Sequence, residues 1–166
     1  MFAVVQNGAV RQILQMDVPF TVGDKTYSSA FLRTSTPSEK LEAGVWEIIE
    51  SARADDRFYW VSGAEYRVNE VNSTVEATFP HTAKDLDGLK TNWTTQVNHT
   101  ANSLLTPTDW VVIRKIERNV DIPADIATYR AAVITECARL KAAITAAADL
   151  DAFIAVVNAQ NWPAQA

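Results

Sequence analysis

One cysteine, two histidines and five scattered glycines set the first limits on this chain of 166 residues. A single thiol closes no internal disulfide, so burial and hydrogen bonding must hold the fold. His81 and His99 lie 18 residues apart, about 27 Å along a helix, and no single metal ion can draw on both. Glycines 8, 23, 44, 63 and 88 stand alone, which leaves no glycine-rich loop to cradle a phosphate. Basic residues are also in deficit: 15 Lys and Arg face 20 Asp and Glu, a formal charge of -5. That is the wrong sign for holding a nucleic-acid backbone. No window approaches the roughly 18 to 20 apolar residues of a membrane span. The opening MFAVVQNGAVRQ has neither the basic nor the long apolar region of a secretory signal. These absences predict a cytoplasmic protein, or one assembled from the cytoplasm, with no cofactor, no metal and neither nucleic acid nor membrane as partner.

What the sequence does contain falls into two textures. Residues 1–80 are rich in Val, Thr, Tyr and Phe with short turns, and carry 7 basic and 11 acidic side chains. Residues 81–166 are rich in Ala, Leu and Ile at helical spacing, with 8 basic and 9 acidic. The reading is α+β: a small β-rich N-terminal domain (1–80) of antiparallel hairpins with one short helix, then an α-helical, coiled-coil-like hairpin domain (81–166). Asn7-Gly8 between two apolar-rich runs predicts a type I′ hairpin, and Gly23-Asp24 a second. Thr36-Pro37-Ser38-Glu39 spells a capping box with proline at the first helical position, and Gly44 is placed to end that helix. Residues 45–50 read as a strand, residues 57–61 and 66–68 as a hairpin around Ser62-Gly63-Ala64, and residues 71–79 as a last strand. Beyond them Leu86, Leu89, Trp93, Val97, Ala101 and Leu104 form one stripe of a helix of about 20 residues, started by Thr82 or Asp85. Thr106-Pro107-Thr108 breaks it, and Thr108 is placed to cap a short helix at Asp109-Trp110. Pro123 opens the longest helix, striped by Ile126, Tyr129, Val133, Cys137, Leu140, Ile144 and Ala147, and a short joining segment makes the two stripes an antiparallel pair. A final helix begins near Asp149.

Residues able to carry catalysis are sparse. Cys137 shares a stripe with Val133 and Leu140, where a thiol acts as a small hydrophobe, and Asp55-Asp56 before Arg57 reads as a solvated turn. No carboxylate pair or Ser/His/Asp set stands out, so no catalytic residue is assigned. Aromatic residues are the more unusual feature. Trp46, Tyr59, Trp60, Trp93, Trp110, Tyr129 and Trp162 are the candidate protein-interface residues, indoles and phenols being common anchors of interfaces. Trp46, Tyr59, Trp60 and Tyr66 could alternatively stack on sugar rings in a receptor- or carbohydrate-binding protein.

Leu104-Leu105-Thr106-Pro107-Thr108-Asp109-Trp110, then Ile113-Arg114, Ile122-Pro123-Ala124-Asp125-Ile126, Tyr129-Arg130-Ala131-Ala132-Val133 and Asn161-Trp162-Pro163, resembles tail fibre assembly proteins of bacteriophages and the small tail proteins related to them. The likeness covers about residues 85–163. A weaker one extends upstream through residues 27–32, 36–44 and 55–61. Where those families carry a basic residue shortly after Tyr-Arg, this chain has Ile134-Thr135-Glu136. The resemblance implies a non-enzymatic tail protein that binds tail fibre or neighbouring tail subunits, as an assembly chaperone or as a structural adaptor kept in the virion. It places the chain in the virion tail or in host cytoplasm during assembly, and makes a homotrimer plausible.

Overall fold

Asn7 and Gly8 both adopt left-handed backbone, with φ of 53° and 68°, the geometry that joins two right-twisted strands in two residues. They close strand β1 (Phe2–Gln6) on β2 (Ala9–Leu14). The structure is a computed structural model that describes residues 1–164, and the chain divides into two units, Met1–Thr82 and a second from Ala83 onward. In the first unit a second hairpin pairs β3 (Phe20–Val22) with β4 (Lys25–Tyr27). One helical turn, α1 (Phe31–Thr34), follows it and completes an aromatic triad. The ring centroids of Phe20, Tyr27 and Phe31 lie 4.5 to 5.8 Å apart.

Helix α2 (Pro37–Glu42) starts as its capping box dictates: the Thr36 hydroxyl accepts from the Glu39 amide, and the Glu39 carboxylate accepts from the Thr36 amide at 2.7 Å. Gly44, at φ 71°, turns the chain into β5 (Val45–Glu50). Four more strands follow: β6 (Tyr59–Val61), β7 (Glu65–Asn69), β8 (Thr74–Thr78) and β9 (His81–Ala83).

Strand pairing departs from the sequence expectation in two places. Residues 57–61 and 66–68 do not form a hairpin. Strand β7 pairs with β8, across a turn in which the Asn69 side chain accepts from the Asn72 amide and Ser73 takes φ 52°. Gly63 takes no left-handed φ, and the Ser62 amide donates to the Pro80 carbonyl, so β6 joins β9 in a two-stranded sheet. His81 therefore sits in strand β9. The main sheet, in the order β2-β1-β5-β8-β7, is also not wholly antiparallel, because β5 and β8 run parallel with Ile48 opposite Val75.

This sheet is buried on both faces at its centre. Ala3, Val5, Ile48, Val75 and Ala77 cluster on one side, and Val4, Leu14, Phe20, Leu32 and Val45 on the other, with Tyr27 and Phe31 packed against them. Interior strand β1 is accordingly apolar and buried in three successive residues, as a strand covered on both faces must be.

The second unit is helical. Asp85 caps α3 (Leu86–Leu105) by accepting from the Gly88 amide at 2.7 Å. A 3-10 turn at Thr106–Thr108 leads directly into α4 (Asp109–Arg118), and α5 (Ala124–Ala146) and α6 (Leu150–Asn158) complete it. Three contacts fix α3 against α5 in antiparallel register: Lys90 Nζ to the Thr145 carbonyl, Cys137 Sγ to Asn98 Oδ1, and Tyr129 Oη to the Leu104 carbonyl. The predicted helical pair is present; its joining segment, residues 106–123, is longer than a short link and holds the helix expected from Asp109. Helix α6 meets α3 through the Phe153 ring, edge-on to Trp93 at 6.3 Å. No helix among the described residues is long and apolar enough to cross a membrane.

A Cβ at Gly44 would lie 3.2 Å from the Val5 carbonyl oxygen, on left-handed backbone. Gly44→Ala is expected to lower the unfolding free energy in urea by about 1–2 kcal/mol. Gly63→Ala, which meets nothing within 4 Å, should stay within about 0.5 kcal/mol of wild type.

Candidate protein-interaction site

The last carbonyls of α3 have no partner within their own helix and form its negative end. Two adjacent residues of α5 supply partners. Tyr129, buried, donates from Oη to the Leu104 carbonyl at 3.2 Å. Arg130 donates from Nη1 to the Leu105 carbonyl at 3.0 Å and to Thr108 Oγ1 at 2.7 Å, and the same nitrogen lies 2.9 Å from Asp109 Oδ1. Thr108 in turn donates its hydroxyl hydrogen to the Leu105 carbonyl at 2.9 Å. Its side chain therefore makes no cap for α4, contrary to the sequence expectation; the hydroxyl is committed to closing the 3-10 turn. One guanidinium thus ties together the end of α3, the turn and the first residue of α4.

Beneath this clamp Ala101, Tyr129 and Val133 form an apolar cluster, joined by Leu104, Leu105, Cys137 and Trp162. Trp162 reaches it because the chain after α6 is latched to α5. Glu136, buried, accepts from Arg139 Nε and Nη2, both at 2.7 Å, and from the Asn161 amide at 2.7 Å. Arg139 also donates to the Ala159 carbonyl at 2.9 Å. Leu104-Leu105, Thr108-Asp109, Tyr129-Arg130 and Trp162, separated in sequence, therefore meet at one end of the helical unit.

Held at its first residue, α4 shows an uncommon orientation. With about 100° between successive residues, Val111 points inward and is fully buried. Trp110, Ile113 and Ile116 point outward, at 55%, 53% and 79% exposure. The Arg114 guanidinium lies 4.8 Å from the Trp110 ring centre and steadies it. In that position its buried Nε–H meets no acceptor among the described residues. Asn119, at φ 50°, ends the helix, and Lys115 pairs with Asp121 just beyond.

The other candidate residues are dispersed. Trp46, on β5, is half-buried against the Ala3 and Val5 cluster. Tyr59 is half-buried, edge-on to His81 at 5.0 Å, while Trp60 is 68% exposed on β6. Trp93 and Trp162 are half-buried in the helical unit, and Tyr129 lies in its core with its hydroxyl already engaged. In the sugar-stacking set, Trp46 and Tyr66 lie on β5 and β7 with β8 between them. Among the described residues no three His, Cys, Asp or Glu are grouped to hold a metal ion. Asp55 takes a two-pronged ion pair from Arg57 in a turn.

Sequence reasoning did not find Ile113 and Ile116 as outward residues, nor Glu136 as a buried latch. The run Val111-Val112-Ile113 is apolar on every side and hides which face turns in. Comparison with protein-family models, with curated proteins and with solved structures finds no match to this chain.

The Glu136 carboxyl is held below the usual glutamate range chiefly by the Arg139 hydrogen bonds; burial pushes it up and the Asn161 amide lowers it further. A carboxyl that binds its proton less readily when folded adds stability above its unfolded pKa, about 4.3. That contribution is lost as pH falls through the lowered folded value. Glu136→Gln is therefore expected to be about 1–3 kcal/mol less stable near neutral pH. Its stability should also fall less steeply than wild type between about pH 5 and pH 2. Parallel curves from urea melts across that range would contradict this.

Proposed function

We propose that this chain is a non-enzymatic bacteriophage tail protein that binds tail fibre or a neighbouring tail subunit, as an assembly chaperone or as an adaptor retained in the particle. The observation that carries the reading is the outward ridge of α4, Trp110, Ile113 and Ile116, on a helix clamped at its start by Arg130. Apolar groups left in water gain roughly 25 cal/mol per Å² when a partner covers them, and an indole already stacked on Arg114 has little freedom left to lose on binding. The resemblance to tail fibre assembly proteins supplies the class of partner. The residues that carry it include the clamp residues Leu105, Thr108, Asp109 and Arg130, so part of the motif that suggests the partner also orients the ridge. A chaperone of this kind would cover fibre surface that otherwise self-associates.

Coexpression with a tail fibre protein tests the reading. The two proteins are expected to copurify, and the double substitution Trp110→Ser with Ile116→Ser should weaken the complex at least tenfold with the circular dichroism spectrum unchanged. Failure to copurify, or a complex indifferent to both substitutions, would contradict it. Mass spectrometry of purified virions separates the two roles: the adaptor is present in the particle and the chaperone is not.

A further inference from the structure

We propose that the segment after α6, residues 159–163, is a strap whose closure locks α4 in place, so that strap and α4 open together while α3 and α5 stay paired. The device holds whatever α4 binds. The strap is neither helix nor strand, and its ties to α5 converge on one ion pair. The Asn161 amide donates to Glu136 Oε1 at 2.7 Å, and Arg139, bonded to the same carboxylate, donates to the Ala159 carbonyl at 2.9 Å. Two other side-chain bonds are local: Gln160 Nε2 to the Val157 carbonyl and Trp162 Nε1 to Gln160 Oε1, both at 3.0 Å. Glu136 is the one buried charge among the described residues. A buried charge left unpaired is what ordinarily makes such an opening costly. Here Arg139 keeps its two bonds to Glu136 when the strap lifts, so no charge is stranded.

Closure reaches α4 through Trp162. The indole packs against the cluster of Ala101, Tyr129 and Val133. Tyr129 and Arg130 are neighbours on α5, and they engage the successive carbonyls of Leu104 and Leu105 at the end of α3. Withdrawing the indole lets water into that cluster, and hydrogen bonds weaken where the surroundings become wet. Once the clamp loosens, α4 has only Val111 buried to keep it docked. Helices α3 and α5 keep Val97, Leu140 and Ile144 buried along their stripes, and the bond from Lys90 to the Thr145 carbonyl. Coupling of this kind is reciprocal, so whatever fixes α4 also holds the strap shut.

Native-state hydrogen exchange in low urea, read by nuclear magnetic resonance on the full chain, tests this. In wild type the Asn161 amide and the α4 amides are expected to exchange through one opening that is nearly insensitive to urea. Their protection should be at least tenfold below that of the Val133 and Leu140 amides. Glu136→Gln should speed exchange at Asn161 and along α4 by one common factor, about fivefold or more. Trp162→Ala should do the same, whereas Trp162→Phe, which keeps a ring in the cluster, should leave α4 within about threefold of wild type. Arg130→Met, although Arg130 bonds only to Leu105, Thr108 and Asp109, should in turn speed exchange at Asn161. Three results would each overturn the proposal: α4 amides indifferent to Glu136→Gln and Trp162→Ala, an Asn161 amide indifferent to Arg130→Met, or a strap and α4 that open only with the urea dependence of Val133 and Leu140.

Discussion

The placement of α4 depends on one guanidinium. Arg130 is largely enclosed, and it satisfies the Leu105 carbonyl, the Thr108 hydroxyl and the Asp109 carboxylate at once. A mostly buried cation is tolerable only where its donors are met and a counter-charge is close. All three partners come from the junction of α3 and α4. The position of Arg130 on α5 therefore dictates where that junction lies, and Tyr129 beside it fixes the depth of the packing through Leu104. The apolar cluster of Ala101, Val133 and Trp162 supplies the burial that keeps water away from these bonds.

Helix α4 has little else to hold it. Its one buried side chain is Val111, whereas α5 buries five residues, four of them along its apolar stripe. An amphipathic helix ordinarily turns its apolar side to the core, and α4 leaves Trp110, Ile113 and Ile116 in solvent. That arrangement gives up burial energy within the unit, and it persists because polar bonds at the first turn set the helix direction. The β unit follows the opposite logic: its interior strand β1 is apolar on both faces, and its order comes from burial.

Local chemistry was legible in the sequence. Asn7-Gly8, the Thr36 capping box, Gly44, the Asp85 cap and both long helical stripes act within a few residues of chain, and each leaves its own signature. The parallel pairing of β5 with β8 and the union of β6 with β9 did not, because strand partners far apart in sequence leave no local periodicity. Thr108 shows a different limit. Its spacing suits an N-cap, but the hydroxyl is claimed by Leu105 and Arg130, which only tertiary packing brings near. Tyr129 was legible both as a stripe residue and as an interface aromatic, and the structure places it in the core. Glu136, noticed only as an acid where a base was expected, holds the chain after α6 through Arg139 and Asn161.

The account's central claim is that the Arg130 clamp, more than burial, holds α4 with its apolar ridge outward. Native-state hydrogen exchange on wild type and Arg130→Met, resolved to single amides, tests it most directly. The amides of α4 should lose protection by about tenfold to a hundredfold, the worth of one or two charge-assisted hydrogen bonds, while protection in the middle of α3 and α5 stays within about threefold of wild type. Unchanged protection along α4, or an equal loss throughout the helical unit, would contradict it.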